Sequence, residues 1–138
     1  MNRVNVTGID HVAIAVADIE SAIALFQNVL GLEVTHREEI AGFGVKVATI
    51  ATGGTDVELV QGTTPDSPIA KFVAERGPGM HHVAFRVDDI HRALAEMKKR
   101  GVDLIDQTPR PGKQGSLVAF IHPRATGRVL CELVQNRK

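Results

Sequence analysis

Gly8-Ile9-Asp10-His11-Val12-Ala13-Ile14-Ala15-Val16-Ala17-Asp18-Ile19 lies over Gly79-Met80-His81-His82-Val83-Ala84-Phe85-Arg86-Val87-Asp88-Asp89-Ile90 at an offset of 71 residues. Gly, His, Val, Ala, Val, Asp and Ile recur in register. The same offset sets Val47-Ala48-Thr49-Ile50 over Val118-Ala119-Phe120-Ile121, and an offset of 74 sets Val57-Glu58-Leu59-Val60 over Cys131-Glu132-Leu133-Val134. A hairpin loop three residues longer in the second half accounts for the change of offset. An internal repeat of this length means two copies of one supersecondary unit.

Each copy reads as strand, helix and three strands. Val12, Ile14 and Val16 alternate with His11, Ala13 and Ala15, the period of a strand with two different faces. Asp18 is a candidate N-cap, and Ile19, Ala22, Ile23, Phe26 and Leu30 follow at helical spacing up to the terminator Gly31. In the second copy Asp88 or Asp89 caps a stripe of Ile90, Ala93, Leu94 and Met97. Lys98, Lys99 and Arg100 then sit at the negative end of the dipole, before Gly101. Strands are expected over Leu32 to Glu39, Val45 to Ala51 and Thr55 to Gln61, then over Val102 to Asp106, Ser116 to His122 and Arg128 to Gln135. Between the copies a turn-rich stretch leads into a short helix from Pro68 to Arg76, with Ser67 as its cap.

The boundaries are therefore module one over about 7–61, a linker with its helix over 62–78, and module two over about 79–136. A copy of about 70 residues buries little core alone, so residues 1–138 are read as one domain. Its class is α+β, two tandem βαβββ modules forming a curled mixed sheet.

Composition narrows the function. Sixteen Lys and Arg balance sixteen Asp and Glu, which removes the field that attracts nucleic acid or an anionic membrane. Five Phe, no Tyr and no Trp leave no platform on which bases could stack. The longest apolar run, Val12 to Ala17, is far below the ~20 residues of a membrane span. Met1-Asn2-Arg3-Val4-Asn5 lacks a secretory apolar region, so a cytoplasmic protein is expected. Cys131 is the single cysteine, so any metal is held by His and carboxylates.

The repeat pairs His11 with His82 and Glu58 with Glu132, each on an expected strand. A lone strand His or Glu is ordinarily a packed or solvated residue, but that reading does not account for their recurrence together. If the sheet curls about a pseudo-twofold, the four side chains converge beside the small Ala13 and Ala84. Two imidazoles and two carboxylates suit one divalent ion from among Zn, Ni, Co, Fe and Mn better than Ca or Mg. An octahedral ion would keep two positions for a chelating substrate. His81 points away from His82 and is read as packed; His36 and His91 are read as solvated, His122 as a turn residue and Cys131 as core.

With these residues in view, the sequence resembles the vicinal oxygen chelate superfamily, which includes glyoxalases, bleomycin resistance proteins and dioxygenases. Within it the resemblance is to the methylmalonyl-CoA epimerases, over nearly the whole length. The more specific matches are Asp66-Ser67-Pro68-Ile69-Ala70-Lys71-Phe72 and Phe120-Ile121-His122-Pro123, supported by Pro109-Arg110-Pro111-Gly112 and Gly101-Val102-Asp103-Leu104-Ile105-Asp106. The resemblance implies interconversion of (R)- and (S)-methylmalonyl-CoA by proton removal at C2. It makes His11, Glu58, His82 and Glu132 metal ligands, Glu132 also the base, an acyl-CoA thioester the substrate, and a homodimer the expected assembly. Several relatives carry a second acid/base Glu where this sequence has Val47, so Glu58 is the candidate for that role. Arg128 stands where Gly is common. No glycine-rich phosphate loop is present, which leaves Lys71, Arg110, Lys113 and Arg124 as basic groups for phosphates. The alternatives are a glyoxalase I-like lactoylglutathione lyase, with the same ligand set, and a non-catalytic small-molecule binder.

Overall fold

The computed structural model describes residues 3–137, and its contacts gather into two compact units. One is His11–His81; the other joins the chain up to Asp10 with the chain from His82 onward.

The His11–His81 unit contains the second half of β1 (Val6–Ala15), α1 (Ile19–Ala24), β2 (Glu33–Ile40), β3 (Val45–Ala51), β4 (Asp56–Gly62) and α2 (Pro68–Arg76). Its strands run in the order β2-β3-β4-β1. Successive antiparallel hairpins join β2 to β3 and β3 to β4, while β1 and β4 pair in parallel. Period-2 alternation gives the sheet two apolar faces. Ile19 and Ile23 of α1 pack on Ala48, Ile50 and Leu59, while Ala15, Val45, Val47 and Val60 pack with Ile69 of α2. Ser67 caps α2 by accepting from the Ala70 amide at 3.1 Å, with Pro68 at the first helical position.

In the other unit β5 (Gly79–Val87), from His82 onward, leads to α3 (Ile90–Lys99), then to β6 (Arg110–Pro111), β7 (Leu117–Ile121) and β8 (Cys131–Gln135). The strand order is β5-β8-β7-β6, and β5 pairs in parallel with β8. Val87, Ile90, Ala93, Leu94, Ala119, Ile121, Cys131 and Leu133 form its core. The opening of β1 is tied into this unit by polar contacts. Buried Asp10 accepts from Asn136 Nδ2 at 2.8 Å and from Arg86 Nε at 3.3 Å.

The repeat thus reads out as strand, helix, hairpin and parallel return strand in each unit. Asp18 caps α1 through the Glu20 amide, and its carboxyl is held below the usual range first by the Ser21 hydroxyl and then by that amide. Asp89, rather than Asp88, caps α3 through the Arg92 amide at 3.0 Å.

Three local expectations change. The first helix does not continue to Leu30 as an α-helix, because a π-helical turn over Leu25–Val29 follows Ala24. Adding a residue per turn shifts the apolar stripe out of phase, and Leu25, Val29 and Leu30 are exposed. Val102 to Asp106 is not a strand: Leu104 makes one isolated bridge to Ile121, and the amides of Ile105 and Asp106 both turn onto the Phe120 carbonyl. The last strand starts at Cys131, since Gly127 and Arg128 both lie in the left-handed region, at φ 70° and 75°.

Arg128 therefore occupies a conformation that suits glycine. A left-handed residue with a Cβ costs about 1–2 kcal/mol, partly offset by the greater unfolded-state freedom of glycine. Arg128→Gly should raise stability by roughly 0.5–1 kcal/mol, read as a melting temperature about 2–4 °C higher by calorimetry. An unchanged or lower melting temperature would contradict this account.

Candidate active site

Parallel pairing sets His and Glu side by side in each unit. Ala13 of β1 is the register partner of Glu58 on β4, and His11, two residues earlier, shares the face of Ala13. His11 Nδ1 lies 3.2 Å from Glu58 Oε2. In the other unit Ala84 of β5 is the register partner of Glu132 on β8, and His82 Nε2 lies 3.5 Å from Glu132 Oε1. All four side chains are buried, at 4 to 7 % exposure. Ala13 and Ala84 are fully buried, and their small side chains leave room beside each carboxylate.

Both pairs are built alike: a His two residues before an alanine that is the cross-strand partner of the glutamate. A buried carboxylate is costly unless paired, and here each meets an imidazole. Such a donor set offers nitrogen and oxygen atoms suited to a transition-metal ion.

The walls of the two pairs differ. Thr49 on β3 is the antiparallel partner of Glu58, whereas Phe120 on β7 is the partner of Glu132. The Phe120 ring stands edge-on to His82, with centroids 5.2 Å apart and planes at 88°. Asp106 fixes this segment, accepting from the Phe120 amide at 2.8 Å, with Arg110 Nη1 3.6 Å from its other oxygen. Val47 also stands on the Glu58 face, two register pairs further along, opposite Val60 in an apolar cluster.

The remaining sequence candidates fall as follows. His81 packs its ring on Phe72 at 5.0 Å, and Cys131 lies in the core. His122 caps a 3-10 turn, its Nδ1 accepting from the Arg124 amide at 3.1 Å. His36 is half-buried and 2.9 Å from Glu38, so it is less solvated than expected. Among the basic groups, Arg124 is 2.9 Å from Asp103. Thr49, Phe120 and Asp106 were not singled out by sequence. The signal for the first two was present, because the 71-residue offset that pairs the histidines also pairs Thr49 with Phe120.

Residues 10–120 match the model of the glyoxalase/bleomycin resistance protein/dioxygenase superfamily. The chain belongs to that superfamily. Its paired βαβββ units are the mixed α+β fold expected of a member. Among superfamily proteins, the human mitochondrial methylmalonyl-CoA epimerase is 38 % identical over 132 residues, covering 95 % of this chain and 75 % of that one. The crystal structure of the Mycobacterium tuberculosis methylmalonyl-CoA epimerase superposes with a TM-score of 0.94 at 37 % identity, covering 100 % of this chain and 93 % of that one. A variant of the Streptomyces coelicolor epimerase in complex with 2-nitronate-propionyl-CoA gives 0.93 at 33 % identity, covering 97 % and 100 %.

The Asp106 contact makes a stability prediction. Asp106→Ala strands the part-buried Phe120 amide and should cost about 1–3 kcal/mol, measured by urea unfolding. An Asp106→Asn variant, which keeps an acceptor, should lose less than half of that; equal losses would mean that the amide contact is not what Asp106 contributes.

Proposed function

We propose that this protein is a methylmalonyl-CoA epimerase in which His11, Glu58, His82 and Glu132 together hold one divalent metal ion. The observation that carries the reading is the pair of buried His–Glu couples built identically on equivalent strands. It comes in a chain that matches epimerases over nearly its whole length. The donors fit the ion: two imidazoles and two carboxylates suit Co, Zn, Ni, Mn or Fe. When bound, the ion supplies positive charge against the negative charge that develops on the thioester oxygen.

The chain supplies the proton chemistry. Epimerisation requires one group to take the C2 proton and another to return a proton to the opposite face. Glu132 takes the proton, and Glu58 serves the other face, where Val47 has no proton to offer. Phe120 screens Glu132 and His82 from water, so charges in that half interact through a low dielectric. The substrate is an acyl-CoA thioester. The reading also takes residues 1–138 as one domain of two modules, working as a cytoplasmic homodimer.

Proton NMR of methylmalonyl-CoA in D₂O tests this. The metal-loaded protein should wash out the C2 proton well above the uncatalysed rate, and chelation should return it to background. Glu132→Gln should lower exchange by about 10²- to 10⁴-fold, the span of a lost general base. Absence of exchange by protein carrying one metal per chain would overturn the assignment and make the glutathione hemithioacetal the next substrate to try. Titration of the metal-free protein should give one ion per chain, and His82→Ala should weaken that binding at least tenfold, read by calorimetry. Unchanged affinity would remove His82 from the ligand set.

A further inference from the structure

The repeat that doubles the His and Glu residues breaks at the position beside each carboxylate. Thr49 and Phe120 are equivalent at the 71-residue offset, and each is the antiparallel partner of its own glutamate. Directly opposed residues of an antiparallel pair share a face, with Cβ atoms about 4.5–5.5 Å apart. One carboxylate therefore has a hydroxyl at its side and the other a phenyl ring. Thr49 is only 3 % exposed. A hydroxyl at that depth is placed against hydrogen-bonding groups, and β-branching on a strand restricts its χ1. Along this face of β3 the other residues are Val45 and Val47, both packed in the apolar cluster under α2, and Ala51 at the end of the strand. Thr49 is thus the polar residue that β3 contributes to the surroundings of Glu58.

We propose that Thr49 is a positioning residue for Glu58, its hydroxyl donating to one carboxylate oxygen and fitting Glu58 to carry the proton on its own face of C2. The proposal rests on the epimerase reading and deepens it. In the return step the O–H bond of the Glu58 carboxyl breaks and the C2–H bond forms, using the electron pair of the enolate. The carboxylate left behind accepts the Thr49 hydrogen bond. That bond is stronger to a carboxylate than to a neutral acid, so it favours delivery. In the opposite direction it holds the carboxylate in place to take the proton. Phe120 offers Glu132 no such donor, and the two faces of the reaction are chemically unlike.

The test separates exchange from inversion. Each epimer of methylmalonyl-CoA is incubated in D₂O with wild-type protein, Thr49→Val and Thr49→Ser, and C2 deuteration and epimer composition are followed separately, alongside metal content and melting temperature. Thr49→Val should keep one metal per chain and, within about threefold, the solvent exchange of the epimer whose proton Glu132 removes. Its epimerisation should fall by about 10- to 100-fold, the worth of a hydrogen bond to a charged group. Thr49→Ser, which restores the hydroxyl, should recover epimerisation to within about threefold of wild type. Equal loss of exchange and epimerisation in Thr49→Val, no loss of either, or a failure of Thr49→Ser to do better would overturn the role of Thr49. So would loss of the metal or of the folded state in Thr49→Val and Thr49→Ser alike. In all of these an active wild type leaves the epimerase reading standing. A metal-loaded wild type that neither exchanges nor epimerises overturns that reading, and this proposal with it.

Discussion

Parallel pairing between the first and last strands of each βαβββ module is the constraint on which the rest depends. A parallel pair cannot be closed by a tight turn, so a long connection must carry the chain back to the starting edge. In each module that connection is a helix and a hairpin. Its effect is to make Ala13 the neighbour of Glu58, and Ala84 the neighbour of Glu132, across 45 and 48 residues of chain. The histidines are local to one strand and the glutamates to another; only the completed module makes them a pair. The helices act as the cover under which those strands can be apolar on one side and bear ionisable groups on the other.

Much of this was legible because the repeat supplied what a single strand pattern lacks. Period-2 alternation in Val12, Ile14 and Val16 says that a strand has two faces, but not which is chemically used. The coincidence of His11 with His82 and of Glu58 with Glu132 made that choice. The short helix from Pro68 to Arg76 was also readable, since Ser67 and Pro68 act locally. What escaped was non-local. Nothing in the sequence of Leu25 to Val29 announces a π turn, and its apolar residues read as a continuation of the stripe. The segment from Val102 to Asp106 has strand-like alternation, yet both of its last amides are captured by one carbonyl on β7. Asp106 stands out in the sequence only as part of a motif, because its partner is a backbone amide 14 residues away.

The site trades stability for chemistry in a recognisable way. Burying an imidazole and a carboxylate together gains less than an apolar pair of equal volume would, because both groups lose water. The chain keeps two such pairs, with alanine, valine, Thr49 and one ring beside them, while its aliphatic clusters lie under the helices. Position 47 shows the same economy. There this chain has Val47 in the cluster with Val45 and Val60, which strengthens the packing of α2 on the sheet.

One symmetric contact bears on how the chain acquires this structure. The amide of Ile19, which opens α1, donates to Gln61 Oε1 at 2.9 Å, and the amide of Ile90, which opens α3, donates to Gln135 Oε1 at 2.8 Å. Each glutamine lies at or next to the end of the last strand of the module whose first helix it caps. On the ribosome, therefore, each helix start waits for a residue made more than forty positions later, and neither module has its full set of bonds until its final strand has emerged. The first module meets that condition about seventy residues before the second, so synthesis imposes an order on two units that the sequence makes nearly equivalent.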